Sequence, residues 1–170
     1  MKKNIYHWEL FGFFFIGILG LVVHFGLDFI PALKPISFMF AINESVWEHL
    51  KLVFWPAIFL LILEAFFIKN KVNNFFIAKG ISIILMIAFI VAFFYTYSGI
   101  IGRNYLFIDI ALFYVATLIG QIVSYKILIA PPFRNEKQLN VLFVIIILLL
   151  IFLFTYFTYN PPHIPLFMEA

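Results

Sequence analysis

Long apolar runs, each closed by a short polar or proline-bearing stretch, set the pattern of this chain. The first follows Lys2 and Lys3 and reaches Pro31, the second follows Asn43 to Lys51 and ends at the polar KNKVNN turn, and three more come after it. Each is close to the roughly 20 apolar residues that cross a hydrocarbon core of about 30 Å. The runs are apolar all round, whereas strands of a membrane barrel alternate polar and apolar residues, so helices are expected. They should cover about 8–30, 44–68, 75–98, 105–129 and 139–159, with breaks at Pro31 and Pro35, at KNKVNN, at Ser98, Gly99 and Gly102, and at Pro131 and Pro132. The expected fold class is an all-α integral membrane protein, a bundle of about five transmembrane helices forming one domain over 1–170.

Composition sharpens this reading. With 65% hydrophobic and 11% charged residues, water cannot be the main solvent, and 170 residues leave no room for a soluble domain beside five spans. Zero cysteines exclude disulfides, thiolate ligands and a cysteine nucleophile. Lys2 and Lys3 before an apolar stretch resemble a signal sequence, but the stretch is too long and lacks a small-residue cleavage site, so it is read as a retained first helix.

Charge supplies the orientation. Lys2, Lys3, Lys69, Lys71, Lys79, Lys126, Arg134 and Lys137 fall on one side of the alternating spans, and Lys34, Lys51 and Arg103 on the other. Positive charge near span ends is retained in the cytoplasm, which places the N-terminus inside and the C-terminus outside, as a multi-pass protein of a plasma membrane. The basic inner face suits anionic lipid headgroups, although setting topology is a sufficient role for it. Asp28, Glu44, Glu48, Asp109 and Glu169 make the outer face mildly acidic. Trp8, Trp47, Trp55, Tyr95, Tyr97, Tyr105, Tyr156 and Tyr159 lie near span ends and read as interfacial belt residues. No basic outer groove accompanies them, so nucleic acid is not an expected partner.

Candidate chemistry concentrates in Asn43-Glu44-Ser45-Val46-Trp47-Glu48-His49-Leu50-Lys51, at the outer start of the second helix. Ionisable groups at that depth usually have a partner or a task. Ser45 and Glu48 have the spacing of a capping box, which alone could explain Glu48. If Asn43 is the cap instead, Glu44 and Glu48 stand four apart on one helical face, ready to hold a cation together. Neither register accounts for His49. In the first helix Gly17, Gly20, His24 and Asp28 fall within an arc of about 80°, and small residues mark where membrane helices pack, so His24 should point into the bundle. In the fourth helix Asp109, Ala116, Gly120 and Ser124 share a face, with Arg103 the expected partner of Asp109. After the fifth helix the prolines of Asn160 to Phe167 hold an extended segment that carries His163 to the same rim. Three of the four histidines thus reach one face, with His7 alone on the other.

The runs NESVWEHLKLVFWP and PPHIPLF, with the opening WELFG at Trp8 to Gly12, resemble an uncharacterised family of small bacterial integral membrane proteins that is defined only as a domain of unknown function. The resemblance extends over the whole chain. It implies a bacterial origin and carries no activity to transfer. Signatures of membrane hydrolases, HExxH and EE-x-x-x-R, do not occur.

Two functional classes follow from the residues. The first is a metal-dependent hydrolase open to the outer leaflet, with zinc held by His24, His49, His163 or Asp28 and with Glu48 or Glu44 as general base, since zinc catalysis needs three protein ligands and a position for water. The second is a non-enzymatic binding or transport protein whose acidic outer pocket receives a cation or a small amine-bearing solute. Helices 3 and 5 are almost wholly apolar at their centres, which favours an outer-rim site over a through channel.

Overall fold

The computed structural model describes residues 2–169. Five long helices account for most of the chain: α1 (Lys2–Phe29), α2 (Val46–Phe67), α3 (Phe75–Ile101), α4 (Leu106–Leu128) and α5 (Glu136–Tyr159). All five are long and apolar enough to cross a membrane. Short 3-10 turns at Pro31–Met39, Lys69–Lys71 and Pro165–Phe167 complete the connections. Successive helices alternate in direction, so the bundle has two ends. One gathers the starts of α1, α3 and α5 and carries Lys79; the other gathers the starts of α2 and α4 and carries His24.

α1 lies along α2 and α3 along α4, with α1 also touching α4, and α3 touching α2 and α5. α2 is enclosed most completely, and its buried positions run all round the helix from Val46 to Glu64, as an evenly apolar helix in a bundle centre requires. Small residues set the closest approaches. A methyl group on Gly20 of α1 would come within 2.9 Å of the Leu52 carbonyl oxygen and 2.8 Å of the Phe113 ring, so only glycine fits there. Leu52 stands four residues before Pro56, whose missing N–H leaves that carbonyl without its usual helical donor. The α1 backbone therefore closes on the one stretch of α2 where the helical ladder is open. Gly17 meets Tyr114, and Gly120 meets Met86 and Ser82, which places the glycine faces of α1 and α4 at helix contacts.

Some boundaries differ from those expected. α1 begins at Lys2 and α5 at Glu136, because the polar residues at these starts continue the helices instead of breaking them. α3 passes through Ser98 and Gly99 to Ile101, with the Ser98 hydroxyl donating back to the Phe94 carbonyl, and stops where Gly102 takes a left-handed φ of 82°. The start of α3 is held by neighbours. The Asn140 side chain accepts from the Phe76 and Ile77 amides, while Asn74, at φ 56°, donates to Glu136 and to the Ile127 and Pro131 carbonyls. Two of the tryptophans near span ends pack against protein. Trp55 is buried and donates to the Phe38 carbonyl, and Trp47 lies between Phe154 and Phe167. These contacts follow from the central position of α2.

Candidate functional site

The entry to α2 is organised by Ser45. Its hydroxyl accepts from the Glu48 amide at 3.3 Å, while the Asn43 side chain accepts from the Ser45 amide at 2.9 Å. Ser45 is the cap, so Glu44 lies outside the helix and does not share a helical face with Glu48. The two carboxylates have different partners. Glu48 is 2% exposed; it accepts from the Ile42 amide at 3.0 Å and pairs with Lys51 at 2.5 Å. Lys51 is wholly buried and donates also to the Phe40 carbonyl. Glu48 and Lys51 thus clamp the incoming loop onto the first turn of α2.

Glu44, freed from the helix, turns to His49. Its carboxylate lies 3.3 Å from His49 Nε2, with the side chains 68% and 33% exposed. His49 Nδ1 lies 2.9 Å from the Ser45 carbonyl oxygen. A carbonyl can only accept, so Nδ1 carries a proton, and Nε2 is the ring nitrogen that faces the Glu44 carboxylate. A ring nitrogen donating to a backbone carbonyl is also what orients many histidines that ligate metals through the other nitrogen. His24 reaches this point from α1, its ring 5.1 Å from that of His49 and nearly perpendicular to it. One ligand atom from each of His24, Glu44 and His49 lies within 4.8 Å of the others.

The structure thus brings together His24, Glu44 and His49 and leaves Asp28, Glu48 and His163 outside that group. Asp28 is exposed one turn beyond His24 on α1. His163 is exposed on the tail, which packs on the opposite side of α2. Trp47 and His49 are two residues apart, about 200° around the helix, and the tail binds the Trp47 side through Phe167 while α1 binds the His49 side. Ser45 pairs with Glu169, which holds the tail there. At the α3–α4 turn Asp109 accepts from the Tyr97 hydroxyl, and Arg103 bonds and stacks on Tyr105 rather than pairing with Asp109.

A second polar cluster was not anticipated from the sequence. At the Lys79 end, Glu9 and Glu64 both contact Lys79, at 2.7 and 2.5 Å, and Ser124 donates to Glu9. Its signal was the presence of single charges inside apolar runs, such as Glu64 in LLILEAFF; such charges seldom stand alone in membrane helices.

Comparison with known proteins bears on the whole chain. A search of the curated proteins and one of the solved structures return no match. A family model covers residues 1–170, and the chain accordingly belongs to a family of unknown function, DUF6512.

Proposed function

We propose that this multi-pass protein binds a divalent transition metal, with zinc the best fit, through His24, Glu44 and His49 at the outer face of a bacterial plasma membrane. The placement of the His49 ring carries the reading, because the Ser45 carbonyl anchors Nδ1 and so aims Nε2 at the Glu44 carboxylate, beside the His24 ring. Two imidazoles and a carboxylate are a zinc donor set, and tetrahedral bonds of about 2.0–2.2 Å place ligand atoms roughly 3.4 Å apart. His49 Nε2 and Glu44 Oε2 already stand at 3.3 Å. The exposure of Glu44 leaves the fourth position open to water or solute. The outer placement rests on the distribution of lysine and arginine. The opposite, basic face suits contact with anionic lipids.

Three protein ligands with an open position also describe a zinc hydrolase, and a bound water would be the nucleophile. Glu48, the general base expected for that chemistry, is committed to Lys51 and the Ile42 amide, so metal binding is the reading put first. Zinc titration of the detergent-purified protein tests it. One zinc per chain is expected, with affinity lowered at least 10-fold to 100-fold in His24→Ala, Glu44→Gln and His49→Ala and unchanged in Asp28→Asn and His163→Gln. Binding should weaken as pH falls, because ligating imidazoles must be neutral. Equal zinc affinity in His49→Ala and the parent chain sinks the proposal.

A further inference from the structure

The buried cluster at the Lys79 end is separate from the proposed metal site, from which it lies fifteen residues away along α1, roughly 22 Å. Four helices each send one polar group to it: Glu9 from α1, Glu64 from α2, Lys79 from α3 and Ser124 from α4. Glu9, Glu64 and Lys79 are 4%, 0% and 5% exposed. With all three ionised, the cluster holds two negative charges against one positive. An unbalanced charge enclosed by packed helices within a lipid-embedded bundle is strongly disfavoured, and binding a proton is the usual relief.

Hydrogen bonding points the same way. Glu9 Oε1 receives two donors, Lys79 and Ser124. Glu9 Oε2 and Glu64 Oε1 are buried and have no hydrogen-bond partner among the described residues. Gln121, one turn before Ser124 on α4, packs beside Gly12 of α1 and also leaves its buried carbonyl oxygen without a donor. The cluster is therefore short of both a donor and a positive charge, and one proton supplies both. A metal cation would have to displace the Lys79 ammonium, which already stands between the carboxylates; a proton does not need that place.

We propose that Glu9, Glu64 and Lys79 form a site for one exchangeable proton, carried by Glu64 because Glu9 has the larger share of donors. The surrounding charges do not alter this balance. Lys3, Lys69, Lys71, Lys126, Arg134 and Lys137 are exposed, and Glu136 on α5 is occupied by the Asn74 amide. Where α5 meets α3 beside Lys79, it presents the Phe143 ring to Gly80. Trp8 and Leu63, the chain neighbours of Glu9 and Glu64, line an open cavity of about 360 Å³ with Asn4, His7 and Phe11.

Infrared spectroscopy of the purified protein at neutral pH, in water and in deuterium oxide, tests the site. The parent chain should show the C=O stretch of one protonated carboxyl group, shifted by deuterium. Because the proton balances charge, Glu64→Gln and Glu9→Gln should each abolish the band, leaving a one-to-one ion pair, while Lys79→Met should double it. The two isosteric glutamine variants carry the test if Lys79→Met does not purify as a monodisperse species. A parent chain without the band, a band unchanged in Glu64→Gln, or a band removed by sodium at constant pH would each overturn the proposal.

Discussion

Lys51 shows how much a single side chain decides at the entry to α2. Its ammonium is wholly buried against Glu48 and the Phe40 carbonyl, and Glu48 in turn holds the Ile42 amide. Removing one member of a buried pair strands the other charge, and Lys51→Met should destabilise the protein by about 3–5 kcal/mol. The double substitution Glu48→Met, Lys51→Met should recover most of that loss, since two apolar side chains fill similar space without a charge. Reversible unfolding in mixed micelles measures both. The same clamp fixes the loop that delivers Glu44, so Lys51→Met should also weaken the proposed zinc binding. The capping role of Ser45 was legible in the S-x-x-E spacing, but the engagement of Glu48 with Lys51 was not. Both residues could equally have faced water, and only the loop folded over α2 shuts it out.

Helices depend on their closest contacts, and glycines of equal appearance in the sequence differ sharply here. Gly20 abuts the Leu52 carbonyl and the Phe113 ring, whereas nothing lies within 4 Å of the space beside Gly99. Gly20→Leu should therefore push α1 off α2 and destabilise by about 1–3 kcal/mol or more. Gly99→Ala should be neutral or stabilise by up to about 1 kcal/mol, since alanine is the better helix former. Thermal unfolding of the two variants checks the contrast, and equal effects would contradict it. Helical periodicity did place Gly17, Gly20 and His24 on one packed face. It could not reveal that Pro56 opens the carbonyl that Gly20 approaches, because that pairing joins two helices through a turn whose path the residues leave open.

Taken as a whole, the molecule keeps its two polar clusters apart. Fifteen residues separate Glu9 from His24 on α1, and fifteen separate His49 from Glu64 on α2, so one antiparallel pair carries both sites about 22 Å apart. The packing also refines the charge argument. Lys51 and Lys79 are paired inside the bundle, and without them Lys2, Lys3, Lys69, Lys71, Lys126, Arg134 and Lys137 stand against Lys34 and Arg103. The excess of positive residues on the Lys79 side is therefore the same with or without the buried pair members. In a chain without native cysteine, Lys71→Cys and Asn135→Cys should be shielded from an impermeant thiol reagent in intact cells, while Lys34→Cys and Ile164→Cys should label. The reverse pattern would move the His24 end to the cytoplasm.

The amino-acid sequence by itself determined that the chain is five apolar helices, because segment length and composition govern whether a segment can cross a hydrocarbon core with its backbone satisfied internally. It also brought His24 and the Glu44–His49 segment to one end, since alternating spans leave no other choice. Which side chains meet at that end was decided by rotation. Two residues along α2 separate the side that binds α1 from the side that binds the tail, so His49 meets His24 while His163 is carried away with Phe167. The Glu9–Glu64–Lys79 cluster lay further still beyond the reach of sequence. Its members come from three helices and as many as 70 positions apart, and only the bundle sets them around one point.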